Sequence, residues 1–157
     1  MKTNRSRRGF TLIEMLIILS IMVVLAVLSF PMMLEAIESS KLRGITQGTV
    51  SLMRLARFEA IKSNACGLVQ LDTARRQVSS YLDQDCDPGT SNRRLGTIGL
   101  PTGVDATSTP AIDVVFRGNG SVDLPDGTIK ITVHFVNRRG AAKDVSVTRT
   151  TGKINVQ

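Results

Sequence analysis

Few residues in this 157-residue chain are of a type that does chemistry, and they are scattered. The single histidine, His134, sits on the polar side of an alternating strand and is expected to be an exposed strand residue rather than a base or ligand. Cys66 and Cys86 stand too far apart, with too few companions, for a zinc site. Asp83, Asp85 and Asp87 alternate beside Cys86, but the later glutamate of a calcium loop is missing, so a solvated acidic loop is expected. No phosphate-binding glycine loop and no G-x-S-x-G elbow occurs. The expectation is a protein without catalytic residues, metal or cofactor, and not an enzyme. One residue does stand out: Glu14 is the only charge between Phe10 and Phe30.

That apolar run sets the first element. Its 21 residues would make a helix of roughly 31 Å, enough to cross the hydrocarbon core of a bilayer. A carboxylate in hydrocarbon costs about 2.5–3.5 kcal/mol on insertion scales, so Glu14 needs a partner or must snorkel to the headgroups. Lys2, Arg5, Arg7 and Arg8 precede the run, and cationic flanks stay on the cytoplasmic side. The remainder should then lie across the membrane. It is basic: of the formal net charge of +7, residues from Ser40 onward carry +6, as 16 basic against 10 acidic residues. Both cysteines fall in this exported part. An oxidising compartment lets them pair; otherwise they stand as two thiols. Pairing of Cys66 with Cys86 is the expectation.

A secretory signal places its cleavage site after the apolar stretch. Here no A-x-A site closes the run, and Ser29-Phe30-Pro31-Met32 leads into more helical sequence. Cleavage before the run fits better. The junction Gly9-Phe10-Thr11-Leu12-Ile13-Glu14, behind a short basic leader and ahead of the apolar run, resembles the leader of type IV pilins and type II secretion pseudopilins. The resemblance implies a prepilin peptidase that cuts after Gly9 and methylates the new amino group of Phe10. It also implies that Glu14 pairs with such an amino group between neighbouring subunits and guides packing into a fibre. Pro31 matches the family's N-terminal helix; lacking an N–H, it predicts a kink or a locally melted turn, the kink being preferred because helical sequence resumes beyond it.

From Met32 to about Ser63 the chain reads as continued helix. Ile45, Thr49, Leu52, Met53, Ala56 and Ala60 share one face, and Leu55, Phe58 and Ile61 add a second apolar side. One side suits the chain's own sheet and the other neighbouring helices. Gly44 and Gly48 read either as flexibility and close approach or as tolerated glycines. Arg54, Arg57, Glu59 and Lys62 are expected to form a solvated face with room for one salt bridge. After Ser63 short alternating runs take over. A hairpin is predicted from Gly67–Leu71 and Gln77–Leu82, then a loop from Asp83 to Arg94 and a strand at Leu95–Leu100. A loop at Pro101–Pro110 is followed by a strand at Ile112–Phe116 and a turn at Asn119-Gly120. Ile129, Ile131, Val133 and Phe135 alternate; Val145 and Val147 repeat the pattern after a turn near Gly140, and Lys153–Val156 closes the chain.

The fold class expected is therefore α+β: a long N-terminal transmembrane helix packed on a C-terminal antiparallel, sandwich-like β domain. The predicted parts are a leader at 1–9, an assembly helix at 10–30, its continuation at 31–63 and a periplasmic domain at 64–157. Leu55–Lys62, Val115–Gly120 and Val147–Ile154 resemble the GspH/FimT branch of minor pilins and pseudopilins, which makes the fold pilin-like. The implied function is a structural subunit of a type IV pilus or type II secretion pseudopilus. The implied partners are the prepilin peptidase, other pilins and the assembly platform of a bacterial inner membrane. The alternative is DNA binding in natural transformation. Some relatives bind DNA through a C-terminal G-R-x-R; here Gly152-Lys153-Ile154-Asn155 departs from it, and Lys lacks the forked contact of Arg. Arg138, Arg139 and Lys153 are the candidate contacts.

Overall fold

A computed structural model describes residues 10–84, 86, 93–109, 113–124 and 127–157. Gly9 and the leader lie outside them, as do Asp85, Asp87 and Ile112 of the loop and strand expected above. The chain divides into two compact units, Met1–Ile37 and Glu38–Gln157.

One helix, α1, runs from Leu12 to Ser63 and carries Pro31 inside it. The helical assignment passes through Pro31 without a break, so no locally melted turn is found there. Between residues 12 and 30 every side chain is exposed, and the most apolar 18-residue window has a mean hydropathy of 2.8. Its two hydroxyls fold back on the backbone: Ser20 donates to the Ile17 carbonyl and Ser29 to the Leu25 carbonyl, both at 2.8 Å. A helix that satisfies its own polar groups in this way is compatible with a lipid surround.

Among its described residues the second unit holds nine strands. They are β1 (Cys66–Asp72), β2 (Gln77–Asp83), β3 (Arg93–Gly99), β4 (Val104–Thr109), β5 (Val114–Phe116), β6 (Val122–Asp123), β7 (Lys130–Asn137), β8 (Ala142–Thr148) and β9 (Ile154–Val156). One antiparallel sheet has the order β3-β2-β1-β5-β6 and the other β4-β7-β8-β9. The predicted helix face is buried as read: Ile45, Thr49, Leu52, Met53, Ala56 and Ala60 all lie inside. They join Val69, Val78, Phe116, Ile131, Val133, Phe135, Val145 and Val147 from both sheets, most of them in one hydrophobic core.

The segment Pro101–Pro110 departs from expectation. It contains β4, paired along its whole length with β7. Val104 and Ala106 point inward and are buried while Asp105, Thr107 and Thr109 stay outside or half out. The alternation was present, but two small apolar residues among Thr and Ser give it little contrast. The residue Ile129 departs in the other direction. It precedes β7 and is 76% exposed, so the buried alternation starts at Ile131.

The glycines show how closely the helix meets its sheet. A Cβ on Gly67 would run into the carbonyl carbon and oxygen of Ala56, atoms of the helix backbone that cannot rotate away. One on Gly48 would meet Ile98 Cδ1 at 2.6 Å, a terminal methyl able to move. Gly44 has nothing within 4 Å. The two readings of the helix glycines therefore divide: Gly48 serves a close approach and Gly44 is merely tolerated. Gly67→Ala is expected to destabilise the unit by about 2 kcal/mol through overpacking, and Gly44→Ala to stabilise it by about 0.5–1 kcal/mol through helix propensity. Denaturation midpoints of the two variants test the pair, and a neutral Gly67→Ala would contradict the contact.

Candidate functional site

The sequence places its one conspicuous acid at the start of α1, and the structure shows how it is held. Thr11 is the residue before the helix. Its backbone N–H donates to Glu14 Oε2 at 3.1 Å and its hydroxyl donates to the same oxygen at 3.2 Å. The Glu14 N–H lies 3.3 Å from the Thr11 hydroxyl oxygen, which accepts from it. This is a capping box, in which a Thr and a Glu three residues on satisfy each other's free backbone donors. The carboxylate also lies at the positive end of the helix dipole. The T-x-x-E spacing was readable in the sequence, and Thr11 is the capping partner of Glu14 that it specified. Both bonds from Thr11 fall on Oε2; among the described residues Oε1 accepts none.

Cys66 and Cys86 form a disulfide. Cys66 opens β1 and is buried, whereas Cys86 has a positive φ of 56° in the loop after β2. The bridge ties Cys86 to the point where the chain leaves the helix. Asp83 ends β2, is 4% exposed and lies opposite Cys66 in the ladder. It is not part of a solvated acidic loop. Among the described residues no group of three or more metal-ligating side chains gathers.

Arg54 and Lys62 are exposed, as a solvated face requires, and Glu59 carries the salt bridge expected there, but Arg57 is half-buried and departs from that face. Its Nε donates to the Gly120 carbonyl at 3.2 Å and its Nη2 to the Thr151 carbonyl at 2.9 Å. It thereby joins the turn between β5 and β6 to the turn between β8 and β9, one from each sheet. Gly152, at φ +58°, lies so close to the Gly120 carbonyl that any Cβ would collide with it. Glu59 pairs with Arg93 of β3 at 3.1 Å and with Lys62 at 3.7 Å. Thus Arg117–Gly120 and Thr148–Lys153, distant in sequence, converge on one helical arginine.

The three candidate DNA contacts do not converge. Arg138 and Arg139 form the turn before β8, and Lys153 follows the turn after it. Seven strand residues, about 20 Å, separate them. Gly152 is buried for packing against Gly120 and Arg57, so its place beside Lys153 answers to the fold rather than to a phosphate. His134, in turn, is half-buried, with Nδ1 at 2.9 Å from Asp144 Oδ1, its cross-strand partner.

A helix with an apolar, exposed first half and a capped acid near its start, followed by two antiparallel sheets, matches known families. Residues 4–30 fit the model of the prokaryotic N-terminal methylation motif. Residues 46–151 fit the model of type II transport protein GspH, more than half of the chain. The chain belongs to the GspH family. No curated protein matches it. Among solved structures, the type IV minor pilin FimU of Pseudomonas aeruginosa is similar with a TM-score of 0.61 at 18% identity, over 76% of this chain and 90% of that one. The minor pseudopilin EpsH of the Vibrio cholerae type 2 secretion system follows, with a TM-score of 0.53 at 15% identity, over 74% and 96%. At these identities the likeness carries the fold, which for this GspH-family chain is that of a minor pilin or pseudopilin. The segments that converge on Arg57 are also those whose sequence resembled the family, so the resemblance there traces a packing motif.

Proposed function

We propose that this GspH-family chain is a membrane-anchored minor pilin or pseudopilin that is cut after Gly9, methylated on Phe10 and built into a fibre with other pilins. The prepilin peptidase and the inner-membrane assembly platform would be its partners in those steps. The observation that carries the reading is the first half of α1, apolar, exposed along residues 12–30 and interrupted only by Glu14. In lipid this surface is solvated by acyl chains. Outside lipid it must be covered, and the helices of other subunits offer the same chemistry. Glu14 gives the cover a register. Thr11 occupies Oε2, so Oε1 can receive the α-amino group that cleavage frees on a neighbour's first residue. A charge pair of this kind, buried among helices, favours a single axial offset over sliding. The parts then divide as a leader at 1–9, an assembly helix at 10–30, its continuation at 31–63 and a periplasmic domain at 64–157. Pro31 would loosen the helix just past the span, because the Val27 carbonyl loses its usual donor.

Topology tests the anchorage. Protease added to spheroplasts is expected to degrade the second unit while an N-terminal fragment stays in the membrane pellet after alkaline extraction. Complete protection, or release of the whole chain, would contradict it.

A further inference from the structure

The helix carries two threonines on its buried side, and they fare differently. Thr46 donates from its hydroxyl to the Leu42 carbonyl at 2.7 Å, the bond by which a helical hydroxyl is satisfied within its own helix. Thr49 is 0% exposed, and its Oγ1 has no hydrogen-bond partner. A buried hydroxyl left unpaired costs the desolvation that a partner would have offset. Its neighbours on that side of the helix are Ile45, Leu52, Met53 and Ala56, all of them core residues without a side-chain hydrogen-bonding group to offer.

Thr49 lines a cavity where the helix and both sheets of the second unit meet. The helix contributes Thr49 and Met53, the first sheet Val69 and Val114, and the second sheet Ser108 and Val133. Ser108 is paired with Val133 in the ladder between β4 and β7. It follows Val104 and Ala106 on the inward side of β4, so its side chain faces the core. It is the second hydroxyl of a wall otherwise built from Met, Val and Leu side chains. The space open to the centre of a water-sized sphere is about 10 Å³. That is the room one water needs, and too little for an organic ligand. Ser108 and Leu71 are the two partly exposed residues of the wall and mark its side nearest solvent.

We propose that this cavity holds a single ordered water that bridges the hydroxyls of Thr49 and Ser108. A hydroxyl gives one hydrogen bond and accepts others, so the water gains two partners and Thr49 gains the one it lacks. The consequence falls on β4. Among the described strands it is an edge, hydrogen-bonded to β7 alone, and Val104 and Ala106 are its inward apolar residues. Arg76 holds its first residues, through the Val104 carbonyl at 2.8 Å and the Asp105 carboxylate at 3.3 Å. The water gives its other end a polar tie to the helix.

Water-to-methyl nuclear Overhauser spectra of the full chain in detergent, with threonine and valine methyls labelled, test this. Cross-peaks of the sign that marks a long-lived water are expected at the methyls of Thr49, Val114 and Val133. None is expected at Val145 and Val147, which are equally buried but do not line the cavity. The peaks should vanish in Ser108→Ala, which keeps the Thr49 hydroxyl and so controls for exchange of that group's own proton. This variant strands the Thr49 hydroxyl, and its melting temperature should fall by on the order of 5 °C. Adding Thr49→Val removes the stranded group at nearly constant volume and should recover most of the loss. A wild-type chain without the cross-peaks, peaks that persist undiminished in Ser108→Ala, or a double variant that melts no higher than Ser108→Ala would each overturn the bridge.

Discussion

Glu14→Ala is expected to leave insertion and cleavage intact while lowering recovery of the subunit in sheared fibres by about 100-fold. Insertion should if anything improve, since an acid in hydrocarbon costs about 2.5–3.5 kcal/mol. What is lost is the partner for the amino group of a neighbour, which would then lie unpaired among apolar helices. An energy of that size corresponds to roughly 100-fold in an equilibrium. The alanine also removes the capping box with Thr11, so a second variant separates the two roles. Glu14→Gln can still serve at the third position of a capping box but carries no charge. Recovery equal to wild type for Glu14→Gln would show that capping, not charge, is what assembly needs. Immunoblots of fibre and membrane fractions read both variants.

Breaking the disulfide is the next largest change. Cys66→Ser with Cys86→Ser opens a loop with a sequence separation of 20. In the chain-entropy account this destabilises the second unit by about 3 kcal/mol. For a unit of this size the melting temperature should fall by about 10 °C. Cys66 is buried at the start of β1 and Cys86 lies beyond β2, so the bridge also fixes where Cys86 sits against the hairpin. Melting with and without reductant, on the full chain in detergent, makes the comparison. A wild-type chain whose transition does not move on reduction would show that loop closure contributes nothing.

The elements with strong periodicity were legible in the sequence. The buried helix face from Ile45 to Ala60, the β1–β2 hairpin and the pair Val145 and Val147 all lie where alternation or helical spacing put them. Those whose pattern is weak were not. β4 has Val104 and Ala106 as its only inward apolar residues, and its Thr and Ser read equally well as loop. Arg57 shows a different limit. A lone arginine on a helix is usually solvated, and only the folded chain brings Gly120 and Thr151 within its reach. Such long-range capping of turns leaves no local signal. The capping box is the opposite case. Its T-x-x-E spacing is local and stands in the sequence at Thr11 and Glu14.

The mass of the chain recovered from cells that carry the processing peptidase bears most directly on all of this. Intact-protein and N-terminal peptide spectra are expected to show a chain beginning at Phe10 with one added methyl group. A chain still carrying Met1 through Arg8, or one beginning near Pro31, would contradict a subunit whose apolar helix stays attached and is unmasked for assembly by removal of its cationic cap.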